Sequence, residues 1–184
     1  MAGIYIHIPF CRKACFYCDF HFSVSLGLQT EIVDAIVLEA KRRKTFLGDE
    51  EVETIYFGGG TPSVLTINEW DQILGALHEE FSIAKDAEIT VECNPDDLTE
   101  EYVKMLKLIG VNRLSVGIQS FNEEHLQWMN RSHTAEQSVN CIQLAADIGF
   151  KDITIDLIYG LPQLSTEDWK QTVKSALALP INHL

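Results

Sequence analysis

The sequence predicts an α/β fold: a partial TIM-type (β/α) barrel of about five βα units, with a curved parallel sheet and outer helices. Five short apolar, β-branched runs alternate with five longer amphipathic segments along the chain. Short loops between strands and helices imply crossover connections, and these make the strands parallel. Each unit takes roughly 30–45 residues, as in TIM-type barrels.

The predicted strands are the apolar runs, and we expect the sheet that they form to be buried on both faces. The runs look continuously apolar rather than alternating, which is typical of parallel sheets covered by helices on each side. The predicted strands cover residues 3–8, 54–59, 88–93, 113–119 and 152–160.

The predicted helices carry recognisable start and stop signals. Thr66 stands as an N-cap with Glu69 at the capping-box position, and Gly110 is a candidate C-cap. The first helix is expected to face the sheet with Ile32, Ala35, Ile36 and Ala40. The predicted helices cover residues 30–47, 66–81, 99–110, 134–149 and 165–179.

The length of the chain limits how much of a barrel it can form. A full eightfold barrel needs ~250 residues, and this chain has 184. It ends in "PINHL", where a sixth strand is expected to begin. We therefore expect one domain over residues 1–184, cut off before a sixth βα unit and without an internal boundary.

Composition narrows the functional classes. Apolar residues make up 46% and charged residues 22%, as in soluble globular proteins. No apolar run reaches the ~20 residues of a membrane helix, and the N-terminus lacks the basic region of a signal peptide, so we expect a cytoplasmic protein. A net charge of −13 argues against nucleic-acid binding, which uses basic patches.

Five cysteines in a reducing compartment argue against disulfides, and Cys93 and Cys141 are expected to be buried structural residues.

Three cysteines stand close together after the first strand. In "FCRKACFYCDF" (10–20), Cys11, Cys15 and Cys18 fall within eight positions. Such thiolates bind zinc or an iron–sulfur cluster. Zinc would need a fourth ligand, for which His21 is near enough, whereas a cluster would keep one iron open to a substrate or cofactor. The spacing favours the cluster, because structural zinc sites usually combine two separated ligand pairs.

Polar residues and glycines also follow the later strands. The carboxyl ends of parallel strands meet at one edge of the sheet, so we expect these residues to converge there. Asp156 is the most diagnostic, because an unpaired charge among apolar neighbours is costly. The glycine triplet after the second strand could equally be a tight turn, Glu92 a solvated acid and Arg131 a surface arginine.

Five motifs in order resemble one family. "YIHIPFCRKACFYCDF", "FGGGTPS", "VECNP", "GIQSF" and "DLIYGLP" resemble the radical S-adenosylmethionine (SAM) superfamily, and within it the oxygen-independent coproporphyrinogen III oxidase-like family with its HemW-type haem chaperone branch. The CxxxCxYC spacing resembles the signature whose three cysteines hold a 4Fe–4S cluster. Phe20 stands where the porphyrinogen oxidases of this family carry a fourth cysteine, which favours the chaperone branch.

The resemblance implies roles for individual residues within a radical SAM core domain. Cys11, Cys15 and Cys18 would hold the cluster, and reductive cleavage of SAM there supplies a radical, chemistry that belongs to the cofactor. His7 would be a core histidine or lie beside the cluster. The residues implied to contact SAM are Tyr5, Tyr17, Gly58, Gly59, Gly60, Thr61, Glu92, Gln119, Arg131 and Asp156.

The resemblance also implies a function. It favours a haem chaperone that transfers haem to acceptor proteins, with oxidative decarboxylation of coproporphyrinogen III as the alternative. The partners would be haem or a porphyrin, a haem-acceptor protein and an electron donor for the cluster, with the porphyrin-binding part in a C-terminal domain that this chain lacks. A zinc-stabilised binding module remains the alternative from another class.

Overall fold

The computed structural model describes residues 2–162 and 164–184 and has the predicted α/β architecture. Parallel strands form one curved sheet, and their spatial order follows their order in the sequence. The strands are β1 (Ala2–Ile8), β2 (Val52–Gly59), β3 (Ile83–Cys93), β4 (Arg113–Gln119) and β5 (Asp152–Leu157). The predicted partial TIM-type barrel is thereby confirmed, although β5 ends before residue 160.

The helices pack against one face of this sheet. Two 3₁₀ turns, Pro62–Val64 and Pro95–Asp97, follow β2 and β3. Thr66 and Glu69 form the predicted capping box. The α-helices of the described ranges are α1 (Gln29–Arg42), α2 (Ile67–Glu80), α3 (Glu100–Leu108), α4 (Glu123–Trp128), α5 (Ala135–Ile148) and α6 (Thr166–Leu177). The short helix α4 is an addition to the five predicted helices, and α1 ends earlier than residue 47.

The prediction that the sheet is buried on both faces is wrong. Apolar side chains occupy alternate positions and pack with the helices in one core, as at Ile55, Val91 and Leu114. The intervening positions carry polar groups, and neighbouring strands align them, for example Glu92 beside Ser115. The second face is polar because it borders a cavity instead of a packed barrel interior.

The buried side of α1 also differs from the prediction. Val33 and Ala40 are its buried apolar residues, Ile32 and Ile36 are half-buried, and Ala35 is exposed. Val33 and Ala40 are seven residues apart and therefore lie two turns apart on one side of the helix. The side of α1 that packs against the core is therefore centred on Val33 and Ala40. Ala35 lies away from that side and faces solvent.

The last residues of the chain pair with β5. Thr154 forms an isolated parallel bridge with His183. The Ile155 N–H donates to the His183 carbonyl at 3.2 Å, and the Asn182 N–H donates to the Ile153 carbonyl at 3.2 Å. The sheet therefore continues at the position where the sequence predicts a sixth strand. In residues 2–162 and 164–184, no helix is both long and apolar enough to cross a membrane.

Candidate functional site

A cavity of about 510 Å³ lies at the carboxyl edge of the sheet. It is bordered by the loop after β1, by the loops after β2 and β3, and by residues at the ends of β4 and β5. Most of the residues predicted for the site line it: Cys11, Cys15, Tyr17, Cys18, Gly59, Gly60, Thr61, Glu92, Gln119, Arg131 and Asp156. The predicted convergence of strand ends therefore brings these residues to one cavity.

The loop with the three cysteines is fixed at both ends by backbone hydrogen bonds. The Cys11 N–H donates to the Ser23 carbonyl at 3.0 Å, and the Ser23 N–H donates to the Pro9 carbonyl at 2.9 Å. Farther along, the Phe16 N–H donates to the Met129 carbonyl at 3.1 Å. The loop thus stays against the sheet edge without forming regular structure of its own.

All three cysteines are unpaired thiols on one wall of the cavity. Cys11 is buried, and Thr61 Oγ1 donates to its Sγ at 3.2 Å. Burial raises the pKa of Cys11, and the hydrogen bond from Thr61 opposes that rise. Cys15 Sγ accepts a hydrogen bond from Arg131 Nη1 at 3.4 Å. Donors thus point at two of the three sulfurs, and hydrogen bonds of this kind stabilise a thiolate.

Across residues 2–162 and 164–184, no three His, Cys, Asp or Glu side chains form a group that would hold a single metal ion. In an iron–sulfur cluster each thiolate binds a different iron, which keeps the sulfurs farther apart. His21, the fourth ligand of the zinc hypothesis, is exposed and is absent from the cavity wall.

The glycine-rich loop after β2 packs its backbone directly against the start of the cysteine loop. The Gly60 N–H donates to the Ile8 carbonyl at 2.8 Å, and the Thr61 N–H donates to the Phe10 carbonyl at 2.7 Å. A Cβ on Gly60 would lie 2.5 Å from the Phe10 carbonyl oxygen, closer than a carbon can approach. Glycine is required here by the close backbone approach.

Replacing Gly60 with alanine is expected to destabilise the fold by about 1–3 kcal/mol, because the added methyl group overpacks a rigid backbone contact. Gly75 is the matched control: it lies on the exposed side of α2, where an added Cβ meets nothing within 4 Å. Gly75→Ala should stabilise the helix by about 0.5–1 kcal/mol. Urea unfolding of both variants measures the difference. Equal free energies of unfolding in the two variants would contradict the assigned packing.

Glu92 is held at the end of β3 by two donors. Tyr56 Oη donates to its Oε1 at 2.8 Å, and the Gly59 N–H donates to its Oε2 at 3.2 Å. Burial raises the pKa of Glu92, and the nearby carboxylate of Asp156 adds to the rise. Two acids that share one cavity wall favour a cationic or hydroxyl-bearing partner, because like charges so close together repel.

Arg131 joins the cysteine loop to the sheet. Its Nη2 donates to Asn94 Oδ1 and to the Gly117 carbonyl, both at 2.8 Å. Its Nη1 donates to Tyr17 Oη at 3.2 Å as well as to Cys15. Its Nε is buried without a hydrogen-bond partner among the described residues. Burial raises the pKa of Tyr17 to about 12, so this phenol stays neutral beside the guanidinium.

Gln119 and Gly117 mark an unusual backbone conformation and a close contact at the end of β4, beside the cavity. Gln119 has φ 66°, the left-handed region that residues other than glycine seldom adopt. Such strain persists where the surrounding structure needs it, often at functional sites. A Cβ on Gly117 would lie 2.9 Å from Gln119 Nε2. The sequence offered one signal for this, since a glycine inside a strand often marks a close approach.

Two of the predicted SAM contacts do not line the cavity. Tyr5 is 57% exposed, stacks on Tyr56 with ring centres 6.0 Å apart, and shares a hydrogen bond with His7 Nδ1 at 3.1 Å. It borders a separate groove between β1 and α1. Gly58 is buried, and a Cβ on it would lie 3.0 Å from Glu92 Oε1. The structure therefore brings Gly58 next to a cavity residue but leaves Tyr5 apart.

The sequence matches the radical SAM superfamily over residues 5–176. The chain belongs to the radical SAM superfamily. Similar proteins include the haem chaperone HemW of Lactococcus lactis, 39% identical over 98% of this chain and 47% of that protein. Another is the oxygen-independent coproporphyrinogen III oxidase of Salmonella typhimurium, 35% identical over 96% of this chain and 39% of that protein.

The structural comparison agrees with the sequence comparison. The solved structure of the radical SAM enzyme coproporphyrinogen III oxidase (HemN) from Escherichia coli superimposes with a TM-score of 0.89 at 33% identity. The match covers 96% of this chain and 41% of that protein. The resemblance predicted from the ordered motifs is confirmed, and this radical SAM chain spans less than half the length of these relatives.

Membership of the radical SAM superfamily implies a 4Fe–4S cluster and SAM, and the residues of the cavity fit both groups. Three free thiols share one wall, and the cavity volume falls within the usual range for cofactor sites. Arg131 lines the same cavity, so its guanidinium faces the space that a ligand would occupy. Cys11, Cys15 and Cys18 would hold the cluster, while Glu92 and Arg131 could receive the amino and carboxylate ends of a zwitterion.

Proposed function

We propose that this chain is the cofactor-binding core of a radical SAM haem chaperone, which holds a 4Fe–4S cluster and SAM and transfers haem to an acceptor protein. The observation that carries the proposal is that Cys11, Cys15 and Cys18 line one cavity at the carboxyl edge of the sheet. In the proposed function residues 1–184 are one core domain, and the haem-handling part lies in the additional length found in the relatives.

Each wall of the cavity has its own role in this proposal. When bound, the cluster and SAM supply radical chemistry that no side chain can provide. Arg131 and Glu92 orient the two charged ends of SAM, while Gln119 and Asp156 offer polar groups to its hydroxyls. Gly59, Gly60 and Thr61 keep the backbone close to the ligand, and Tyr17 covers it from the cysteine loop.

Position 20 favours a chaperone over an oxidase. Phe20 borders the cavity and is 76% exposed, and it stands where the resemblance places a fourth cysteine in the oxidases. Coproporphyrinogen III oxidation remains a second candidate, because oxidases are among the similar proteins and one of them has the superimposable structure. Both functions use the same cofactor site, so position 20 is what distinguishes them.

Anaerobic reconstitution with iron and sulfide tests the proposal. We expect about four irons per chain, the content of one 4Fe–4S cluster, and release of 5′-deoxyadenosine from SAM after reduction with dithionite. A colourless protein with one zinc and no response to dithionite would support the zinc-stabilised module instead. In the longer protein, haem transfer to an apo-acceptor supports the chaperone, and conversion of coproporphyrinogen III supports the oxidase.

A further inference from the structure

Arg12 ties the cysteine loop to a distant part of the chain. It stands between Cys11 and Cys15, and its Nε donates to Asp97 Oδ1 at 2.7 Å across 85 positions of sequence. The Asp97 side chain is only 5% exposed, whereas that of Arg12 is 51% exposed. A nearly buried carboxylate thus holds a cation of the cysteine loop.

The carboxylate of Asp97 is itself fixed from the other side. Ser63 Oγ, in the glycine-rich loop after β2, donates to Asp97 Oδ2 at 2.6 Å. The same hydroxyl accepts a hydrogen bond from the Asn94 N–H at 3.2 Å. Asp97 therefore lies where the loops after β1, β2 and β3 meet, and its two oxygens bind partners from two of them.

Further hydrogen bonds lead from Asn94 back to the cysteine loop. Asn94 Oδ1 accepts from Arg131 Nη2 at 2.8 Å, and Arg131 Nη1 donates to Cys15 Sγ at 3.4 Å. A closed ring of polar contacts thus leaves the loop at Arg12 and re-enters it at Cys15. The residues of this ring are Arg12, Asp97, Ser63, Asn94, Arg131 and Cys15.

We propose that Asp97 is a positioning residue for the cluster, which acts through Arg12 to fix the cysteine loop against the other two loops. The cysteine loop has little regular structure, so its sulfurs need external anchors to stay in place. Asp97 can serve as one because its buried side chain is held by Ser63 and cannot easily shift. This inference rests on the proposed function, since it assumes that the loop binds a cluster.

The test measures how firmly the protein keeps its cluster. Asp97→Asn, Arg12→Gln and the double variant are reconstituted anaerobically with iron and sulfide in the full chain. Iron loss to excess bathophenanthroline is then followed through the cluster absorbance, and the reduced cluster is examined by EPR with and without SAM. Each single variant should lose iron roughly tenfold faster than the unaltered protein, because it breaks a charge-assisted hydrogen bond to a nearly buried carboxylate.

The double variant and two further variants separate positioning from a general loss of stability. If the residues act together, the double variant should lose iron no faster than the single variants. Arg12→Lys should restore much of the retention, because it keeps the charge. Arg43→Gln is the matched control: Arg43 Nε also contacts a carboxylate, Glu39 Oε1 at 2.6 Å, on the exposed surface of α1. It should lose iron at the rate of the unaltered protein.

The outcomes test the role of Asp97 separately from the proposed cluster-binding function. Failure of the unaltered protein to bind a cluster would refute the proposed function itself. A loaded unaltered protein whose Asp97→Asn and Arg12→Gln variants match it in iron loss and EPR spectrum would overturn the role of Asp97. Faster iron loss in Asp97→Asn without faster iron loss in Arg12→Gln would also overturn this role, because Asp97 would then not act through Arg12. Circular dichroism confirms that each variant is folded.

Discussion

Replacing Cys15 with serine is expected to prevent formation of a stable cluster. After anaerobic reconstitution, iron should fall from about four per chain to well under one, since a serine hydroxyl is a poor ligand for these irons. The characteristic brown absorbance should disappear, and 5′-deoxyadenosine should no longer form from SAM. The fold should survive, because Cys15 is only half-buried and lies in a loop outside the core.

Cys141 offers the matched control for this substitution. It is also an unpaired cysteine, but it is buried in α5, where its Sγ donates to the Ser138 carbonyl at 3.4 Å. Cys141→Ala removes one thiol without touching the cavity, so iron content and SAM cleavage should match the unaltered protein. Undiminished iron uptake in Cys15→Ser would refute the ligand assignment, and equal losses in both variants would indicate a nonspecific effect of removing a thiol.

The sequence predicted the fold well because strands, helices and caps leave local signals. The ordered alternation of apolar runs and amphipathic segments predicted the parallel sheet, and Thr66 with Glu69 predicted the start of α2 correctly. The polar face of the sheet was missed, although "IYIHI" does alternate. Tyrosine and histidine occur on both buried and exposed faces of strands, so the polar side of this strand is recognised only when neighbouring strands align polar groups beside it.

The sequence predicted those residues of the candidate site that lie at strand ends or within the recognised motifs. Cysteine spacing predicted the wall of the cavity, and the strand-end rule brought Glu92 and Asp156 to it. Arg12 and Asp97 carry no such signal, because a charged residue in a loop has no periodic neighbours that would predict its partner. Tyr5 was predicted from the resemblance; its side chain lies on the edge strand beside His7 and does not line the cavity, and its contact with SAM stays a prediction.

Replacing Arg131 with lysine is expected to weaken SAM binding roughly 100-fold while leaving the iron content near that of the unaltered protein. A 100-fold loss corresponds to about 2.8 kcal/mol, the size of one or two lost hydrogen bonds to a charged group. Lysine keeps the positive charge but replaces a planar fork with a single ammonium. It cannot contact Asn94, the Gly117 carbonyl and Tyr17 in the same way, so the cation would no longer be held in one orientation towards a ligand.

The measurement is equilibrium dialysis of labelled SAM against the reconstituted protein, together with the change that SAM causes in the EPR spectrum of the cluster. Arg113→Lys is the matched control, because Arg113 is likewise held between strands, with Nη1 donating to Thr90 Oγ1 at 3.2 Å and Nη2 to Thr154 Oγ1 at 2.8 Å. It lies outside the cavity wall, so its replacement should leave SAM affinity unchanged.

The two arginine variants together decide what Arg131 does. A loss of SAM affinity only in Arg131→Lys would assign the guanidinium to the ligand, since both variants remove a guanidinium that contacts the sheet. A loss of iron in Arg131→Lys would instead make its contact with Cys15 the important one, and Arg131 would then belong with Arg12 among the residues that hold the loop. Unchanged SAM affinity and iron content would contradict both roles. Arg131 would then be a structural residue that connects Asn94 and Gly117 by hydrogen bonds.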